Sequence, residues 1–328
     1  MKILDRSFLN VSTPTCHAGT IAFYKGKPVF SWFGGSIEGS ADSAIYVQYD
    51  NNVIVLGNKD NVPRWNPVLF SNDNKLSLFI KAGLYCDRWQ TFVLDLSSIF
   101  DEDFSIAKIS TNIIPSGLNG PVKTKPIFKN GYIYCGSSVE TIYDWTAYIE
   151  SYTYKDKFIF ASRSNPIAVD KKAYIDKYGI KRFTLGIIQP SLWIDEESNI
   201  NAFFRSSRGL GYIYHSKSCD DDHNSWSVPL PVSSLKNPNS GIDVVHFRDR
   251  LFLVHNPSQE NRYPLVISEI DNENFNVIDT LVITEKIDES ENVFGPELSY
   301  PFMIENDGNL NLIYTYGRVK MEQVVIGV

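Results

Sequence analysis

The sequence predicts an all-β chain folded as a six-bladed propeller, and three observations predict it. A polar residue, then a small residue or proline, then an apolar run, a polar turn and a second apolar run recur six times. The copies begin at His17 (HAGTIAF), Asn66 (NPVLF), Lys125 (KPIF), Gln189 (QPSLW), Asp243 (DVVHF) and Tyr300 (YPFMI). Their spacings of 49, 59, 64, 54 and 57 residues suit modules of about four short strands each. Long helical periodicity is nearly absent. In a propeller the innermost strands point one end at the axis, so six polar heads in equivalent positions would converge on one pocket.

Each module reads as strands broken by turn residues. In the first, HAGTIAF turns at Lys25-Gly26 into PVFSWF, and AIYVQY follows. The second runs NPVLF, a turn at Asn72-Asp73-Asn74, LSLFIKAG and TFVLDL. KPIF, a turn at Asn130-Gly131, YIYCGSS and TAYIESY make the third, and QPSLWI, NINAFF and YIYHS the fourth. The fifth has DVVHF, a turn at Arg248-Asp249-Arg250, LFLVHN and PLVISEI. YPFMI, a turn at Asp307-Gly308, LNLIYTY and MEQVVI complete the sixth. The longest spacing holds an expected insertion near 164–184, a loop or short helix around PIAVDKKAYIDKYGIKR. No Pro/Gly/Ser linker divides the 328 residues, so one domain spanning 1–328 is expected, its ring closed by MKILDRSF against the C-terminal strand.

Composition narrows the function. The chain is 43% hydrophobic, 21% charged and 13% aromatic; such aromatic richness suits strand packing and sugar-stacking surfaces alike. Trp65, Trp89 and Trp145 fit either use. A net charge of −7 argues against nucleic acid or an anionic membrane as partner. No stretch reaches the roughly 18 apolar residues of a span. The N-terminus has Asp5 and no apolar core, so no signal peptide is read and a cytoplasmic location is expected. Cys16, Cys86, Cys135 and Cys219 lack paired spacing and read as reduced thiols. Phosphate-loop, zinc-protease and nucleophile-elbow motifs are missing, and neither metal nor cofactor is expected. Asp220-Asp221-Asp222 reads as a solvated turn tip.

The second halves of the modules carry more. FFRSS contains Arg205, NRYPLVISE contains Arg262, and WFGGSIEGSADS carries Glu38 and Asp42 in a glycine-rich loop. YIYHSKSCDDDHNSW keeps Ser218, Asp220 and Trp226 of a degenerate S-x-D-x-G-x-T-W turn. With WNPVLF, NPNSGID and LSYPFMI, these pieces, in this order from His17 to Val325, resemble the sialidase (neuraminidase) superfamily, closest to its bacterial branch with BNR-like repeats.

The resemblance implies a propeller hydrolysing the bond to a terminal acidic sugar. Residue by residue, it implies that Arg205 and Arg262 hold the substrate carboxylate, that Tyr300 is the nucleophile, and that Glu38, with Asp42 close behind, is the general acid. The pattern departs at two points. The first inner strand reads His17-Ala18-Gly19 where a carboxylate-binding arginine belongs, and Gln189 stands where an acid would partner the tyrosine. Arg318 in TYGRVKM offers a replacement arm.

The residue chemistry agrees with those roles. A glycosidase needs a proton donor and a base or nucleophile on opposite ring faces. Arginine suits planar carboxylates. A tyrosine acts as nucleophile when a base takes its proton, and His17 can move a proton near neutral pH. Asp42 equally suits pinning its loop by accepting backbone N–H bonds. Asn66, Lys125, Gln189 and Asp243 are expected pocket liners. The expected partner is an acidic glycan, its sugar a nonulosonic or a uronic acid. Two alternatives stay open: a lyase cleaving at a uronate by β-elimination, and a non-catalytic glycan-binding propeller.

Overall fold

The computed structural model describes residues 1–328 except 58–59, 73–74, 179–184 and 289–293. After β1 (Lys2–Phe8), the strands β2 (Thr15–Tyr24), β3 (Lys27–Gly35), β4 (Ala44–Tyr49) and β5 (Asn52–Leu56) form a four-stranded antiparallel sheet. A second comprises β6 (Arg64–Asn72), β7 (Lys75–Ala82), β8 (Gln90–Asp95) and β9 (Thr111–Ile113). Next come β10 (Ile127–Lys129), β11 (Tyr132–Glu140), β12 (Asp144–Tyr154) and β13 (Phe158–Arg163), then helix α1 (Lys171–Tyr178), then β14 (Leu185–Ile194), β15 (Ile200–Ser206), β16 (Tyr212–Lys217) and β17 (Leu230–Lys236). These eight strands are one sheet, because β12 and β14 pair in parallel at Asp144–Leu185 and Trp145–Gly186. β18 (Asp243–Phe247), β19 (Arg250–His255), β20 (Leu265–Ile270) and β21 (Val277–Thr284) make another sheet. The last contains β22 (Leu298–Asn306), β23 (Asn309–Tyr316) and β24 (Lys320–Gly327), with β1 along β24 as its outer strand. The fold is all-β, with α1 inside the segment read as an insertion.

Two-residue turns join the leading hairpins where the sequence suggests turns, except that Arg250, expected in the fifth turn, already opens β19. Lys25-Gly26, Asn130-Gly131, Arg248-Asp249 and Asp307-Gly308 all have positive φ at both residues. That backbone twist matches the strands it connects. The turn expected at Asn72-Asp73-Asn74 lies partly outside the described residues.

Successive leading strands are stitched together by short polar bonds. The Leu69 N–H donates to Thr20 Oγ1 at 3.1 Å, Val244 N–H to Ser191 Oγ at 2.9 Å, and Met303 N–H to Asp243 Oδ2 at 2.8 Å. Beneath them lies apolar packing: Trp32, Phe79, Tyr152 and Phe302, from four different sheets or sheet halves, share one buried cluster. Each such side chain contributes about 1.5–3 kcal/mol. Among the described residues, no helix is long and apolar enough to cross a membrane.

In four of the six copies the motif proves to be a β-bulge. Register shifts fall at His17/Thr20, Trp65/Val68, Ile188/Ser191 and Ser299/Phe302. Inside them Ala18, Asn66, Gln189 and Tyr300 have φ of 54°, 33°, 53° and 52°. The following residue is Gly19, Pro67, Pro190 or Pro301; proline fits because it has no N–H for the ladder. A non-glycine residue in this left-handed region costs on the order of 1–3 kcal/mol, and such strain gathers at functional sites.

This corrects the expectation of six equivalent heads. In the first sheet the bulge residue is Ala18, not His17. Asp243 pairs with Val254 in a ladder that has no register shift, and neither Lys125 nor Asp243 has positive φ. An extra residue turns a side chain to another direction without altering the apolar run around it.

Candidate active site

Two of the bulges aim their side chains at one arginine. Arg205 on β15 pairs with Ile188, the residue before the β14 bulge, and is 6% exposed. Its Nη1 donates to Gln189 Oε1 at 3.0 Å and to the Tyr300 hydroxyl at 2.9 Å. Gln189 Nε2 donates to the same hydroxyl at 3.3 Å. With two donors on its oxygen, the phenol's own proton must point elsewhere. Trp145 lies beside the guanidinium, 5.5 Å from ring centroid to Cζ.

A second cluster adjoins the first through Asn239. Its side-chain oxygen accepts from Arg205 Nε at 2.9 Å, and its backbone carbonyl accepts from Arg262 Nη2 at 2.8 Å. Arg262 Nη1 donates to Glu297 Oε1 at 2.7 Å, and Arg318 Nε donates to Glu297 Oε2 at 2.8 Å. Ser299 also donates to Glu297. The far end of Arg318 meets Glu38 through Nη1. Burial pushes Glu297 upward, yet His17, Arg262 and Arg318 together hold it far below the usual carboxylate range. Burial likewise opposes ionisation of Arg318, and Glu297 and Glu38 overcome it, raising its pKa.

His17 stands between the clusters, 2% exposed. Its ring lies 4.1 Å from that of Tyr300 and edge-on to Phe33 at 5.7 Å. Burial pushes its pKa down to about 4, with Arg318 adding to the effect and Glu38 and Glu297 opposing it, so the imidazole is neutral at neutral pH. Neither ring nitrogen has a hydrogen-bond partner among the described residues. An unsatisfied buried polar group costs about 1–3 kcal/mol. It lines a cleft of about 450 Å³ shared with Thr15, Glu38, Trp65, Phe294 and Arg318.

The Glu38 loop is pinned by Asp42. Its carboxylate accepts the Ser36 N–H and Ser36 hydroxyl, each at 2.9 Å, and the Ser40 hydroxyl. Bonds from Ser40 and Ser36 therefore hold Asp42 below its ordinary pKa. The loop turns at Gly39, φ +79°, where a Cβ would sit 2.9 Å from the Trp65 ring. Both facts require glycine.

Three expected pocket liners serve the scaffold instead. Asn66 Nδ2 donates to the Val122 carbonyl at 3.0 Å. Lys125 Nζ donates to Asp243 Oδ1 at 2.9 Å and to the Val244 carbonyl at 2.6 Å. Asp243, fully buried, also accepts from Ser191 Oγ at 2.6 Å and Met303 N. Burial pushes Lys125 below its ordinary pKa. Lys125 lines a different cleft, with Phe23, Phe70 and Glu305. Lys125 and Asp243, without the bulge, point between leading strands rather than at Arg205; Asn66, although it sits in a bulge, turns to the Val122 carbonyl. In the degenerate turn, Asp220 accepts the Asn224 and Ser225 N–H groups, both at 2.9 Å.

Of the expected residues, the structure brings together His17, Glu38, Gln189, Arg205, Arg262, Tyr300 and Arg318. Glu297 and Asn239, which join the arginines, escape sequence reasoning as site residues. Two arginines without an assigned counter-charge were the available signal for Glu297.

Solved structures similar to this one define the class of fold. Trypanosoma rangeli sialidase in complex with sialic acid matches with TM-score 0.62 at 12% identity, covering 99% of this chain, which spans 57% of the trypanosomal one. A subtype N10 neuraminidase-like protein of A/little yellow-shouldered bat/Guatemala/060/2010 matches with TM-score 0.56 at 8% identity, over 99% of each chain. A protein of unknown function from Dyadobacter fermentans matches with TM-score 0.71 at 11% identity, over 100% of this chain and 99% of that one. The fold is sialidase-like. A family model for the BNR repeat-like domain matches residues 26–312, and the chain belongs to that family. No curated protein matches it.

Proposed function

We propose that the chain is a sialidase-like glycoside hydrolase, a single six-bladed propeller removing a terminal acidic sugar from a glycan. The observation that carries this reading is the Arg205 guanidinium bonded to the Tyr300 hydroxyl within a cluster of three arginines. Arg205, Arg262 and Arg318 supply planar donors to the sugar carboxylate. Tyr300, its oxygen held by Arg205 and Gln189, attacks the anomeric carbon as its phenol proton passes to solvent, and water then displaces the tyrosine oxygen to release the sugar. Glu38 protonates the leaving oxygen from the other ring face. The sugar is a nonulosonic or a uronic acid. The six-bladed architecture is supported by the sheets counted with the eight-stranded one as two halves, and by β1 joining β24.

One observation favours the lyase as second reading. His17 is neutral, has no hydrogen-bond partner among the described residues, and lies with its ring tilted against that of Tyr300, as a base abstracting a C5 proton would be. A product assay across sialosides and uronate oligosaccharides, reading released sugar and ultraviolet absorption together, separates the two. Hydrolysis releases sugar without new absorption, whereas elimination creates an absorbing C=C bond. Loss of about 10²–10⁴-fold in kcat is expected for Tyr300→Phe and for Glu38→Gln; unchanged turnover in both overturns the assignment.

A further inference from the structure

Arg318 already faces two carboxylates before any substrate arrives. Glu297 is shared with Arg262 and bonded by Ser299, and its side chain is 12% exposed. Glu38 has only Arg318 as hydrogen-bond partner among the described residues, and its side chain is 36% exposed. It sits on a loop rather than at a strand end. A third carboxylate at Arg318 would crowd three anions around one guanidinium in a partly desolvated cleft, where like charges repel strongly. Of the resident two, Glu38 is the one that can leave.

Resting on the reading of the site as one for an acidic sugar, we propose that Glu38 occupies, in the free protein, the seat on Arg318 that the substrate carboxylate takes. The exchange converts Glu38 from a bound anion into the proton donor. The groups facing it are His17 from β2, Arg318 from the turn between β23 and β24, and Glu297 ahead of β22, which Arg262 partly neutralises. Within its own loop, Asp42 is engaged by Ser36 and Ser40. In the free protein burial pushes Glu38 upward, but His17 and Arg318 outweigh it and the pKa lies below the ordinary value. A general acid needs the opposite. Once a substrate anion takes the Arg318 contact, burial and a nearby negative charge both act to raise it.

The proton balance closes. On binding, the Glu38 carboxylate takes one proton from solvent. It gives that proton to the glycosidic oxygen as the carbon–oxygen bond breaks. Glu38 then takes the proton of the water that releases the sugar, and gives it back to solvent as the product carboxylate departs and the anionic Glu38 returns to Arg318. Unbound enzyme thereby keeps its acid disarmed, and a neutral sugar, unable to displace Glu38, does not arm it.

Calorimetry tests the exchange directly. The unsaturated sialic-acid analogue 2-deoxy-2,3-didehydro-N-acetylneuraminic acid and glucuronic acid are titrated into wild type and Glu38→Gln at about pH 6, in two buffers of different ionisation heat. The expected result is net proton uptake by wild type with at least one acid. In Glu38→Gln that acid binds about two- to fivefold tighter and the uptake disappears. Binding to wild type without uptake, or uptake that survives Glu38→Gln, overturns the exchange while leaving an acidic-sugar site intact. Binding of neither acid to either protein removes the acidic-sugar reading itself, and this inference with it.

Discussion

Gln189 and Tyr300 carry the same polar-then-proline pattern as Lys125, yet the outcomes differ. The first two sit in bulges at positive φ and meet Arg205. Lys125, without positive φ, turns to Asp243, the head of β18, and the pair lies buried between leading strands. The bulge aims these two heads at Arg205 but is not sufficient by itself, since the bulged Asn66 braces the Val122 carbonyl. The bulged heads carry backbone strain that their contacts must offset; the unbulged heads carry charge that their partners must neutralise.

That contrast can be broken most severely at Asp243. Asp243→Ala strands a buried ammonium and removes acceptors for Ser191, Val244 and Met303. A loss of about 3–5 kcal/mol is expected, measured by denaturant unfolding, with an undiminished kcat per folded molecule. The converse holds at Arg205. Arg205→Met should lower kcat/KM on an acidic substrate about 10²–10³-fold, with a smaller change in unfolding midpoint than Asp243→Ala. If both variants damage stability and turnover in the same proportion, the division between site and brace fails.

Smaller effects sharpen the comparison. Burial holds His17, His215 and His255 near pKa 4, against an ordinary 6.5. Because the folded values are depressed, the unfolded chain binds more protons in that window. Stability should therefore fall as pH drops from about 6.5 to about 4. His17→Phe should flatten this slope in equilibrium unfolding across pH; an unchanged slope would contradict the burial of a neutral imidazole. Gly39→Ala should cost about 1 kcal/mol in stability and slow turnover, since it strains the turn and pushes on Trp65. Equal kinetics for Gly39→Ala and wild type would show that the loop tolerates a different path.

Much of this was legible in the sequence, and what was not has a physical cause. Strand pairs and their tight turns follow from apolar runs split by Lys25-Gly26, Asn130-Gly131 and Asp307-Gly308. Arg205, Arg262, Tyr300 and Glu38 were reached through the family resemblance. Register was not legible, because a bulge leaves the apolar count unchanged while redirecting the head residue. That is why the sequence pattern points to His17 as the first head when Ala18 holds the place, and why it puts Lys125 and Asp243 in the pocket. Glu297 was not legible either. Its partners lie 35 and 21 residues away in sequence, and only the folded chain sets one carboxylate between them.

The most direct test of the central claim compares an aryl glycoside of sialic acid with its carboxyl-reduced counterpart, in wild type and in Arg205→Met. The arginine cluster predicts that wild type prefers the acid by about 10²-fold or more in kcat/KM and that Arg205→Met abolishes most of that preference. Equal turnover of the two glycosides, or a preference untouched by Arg205→Met, would contradict it.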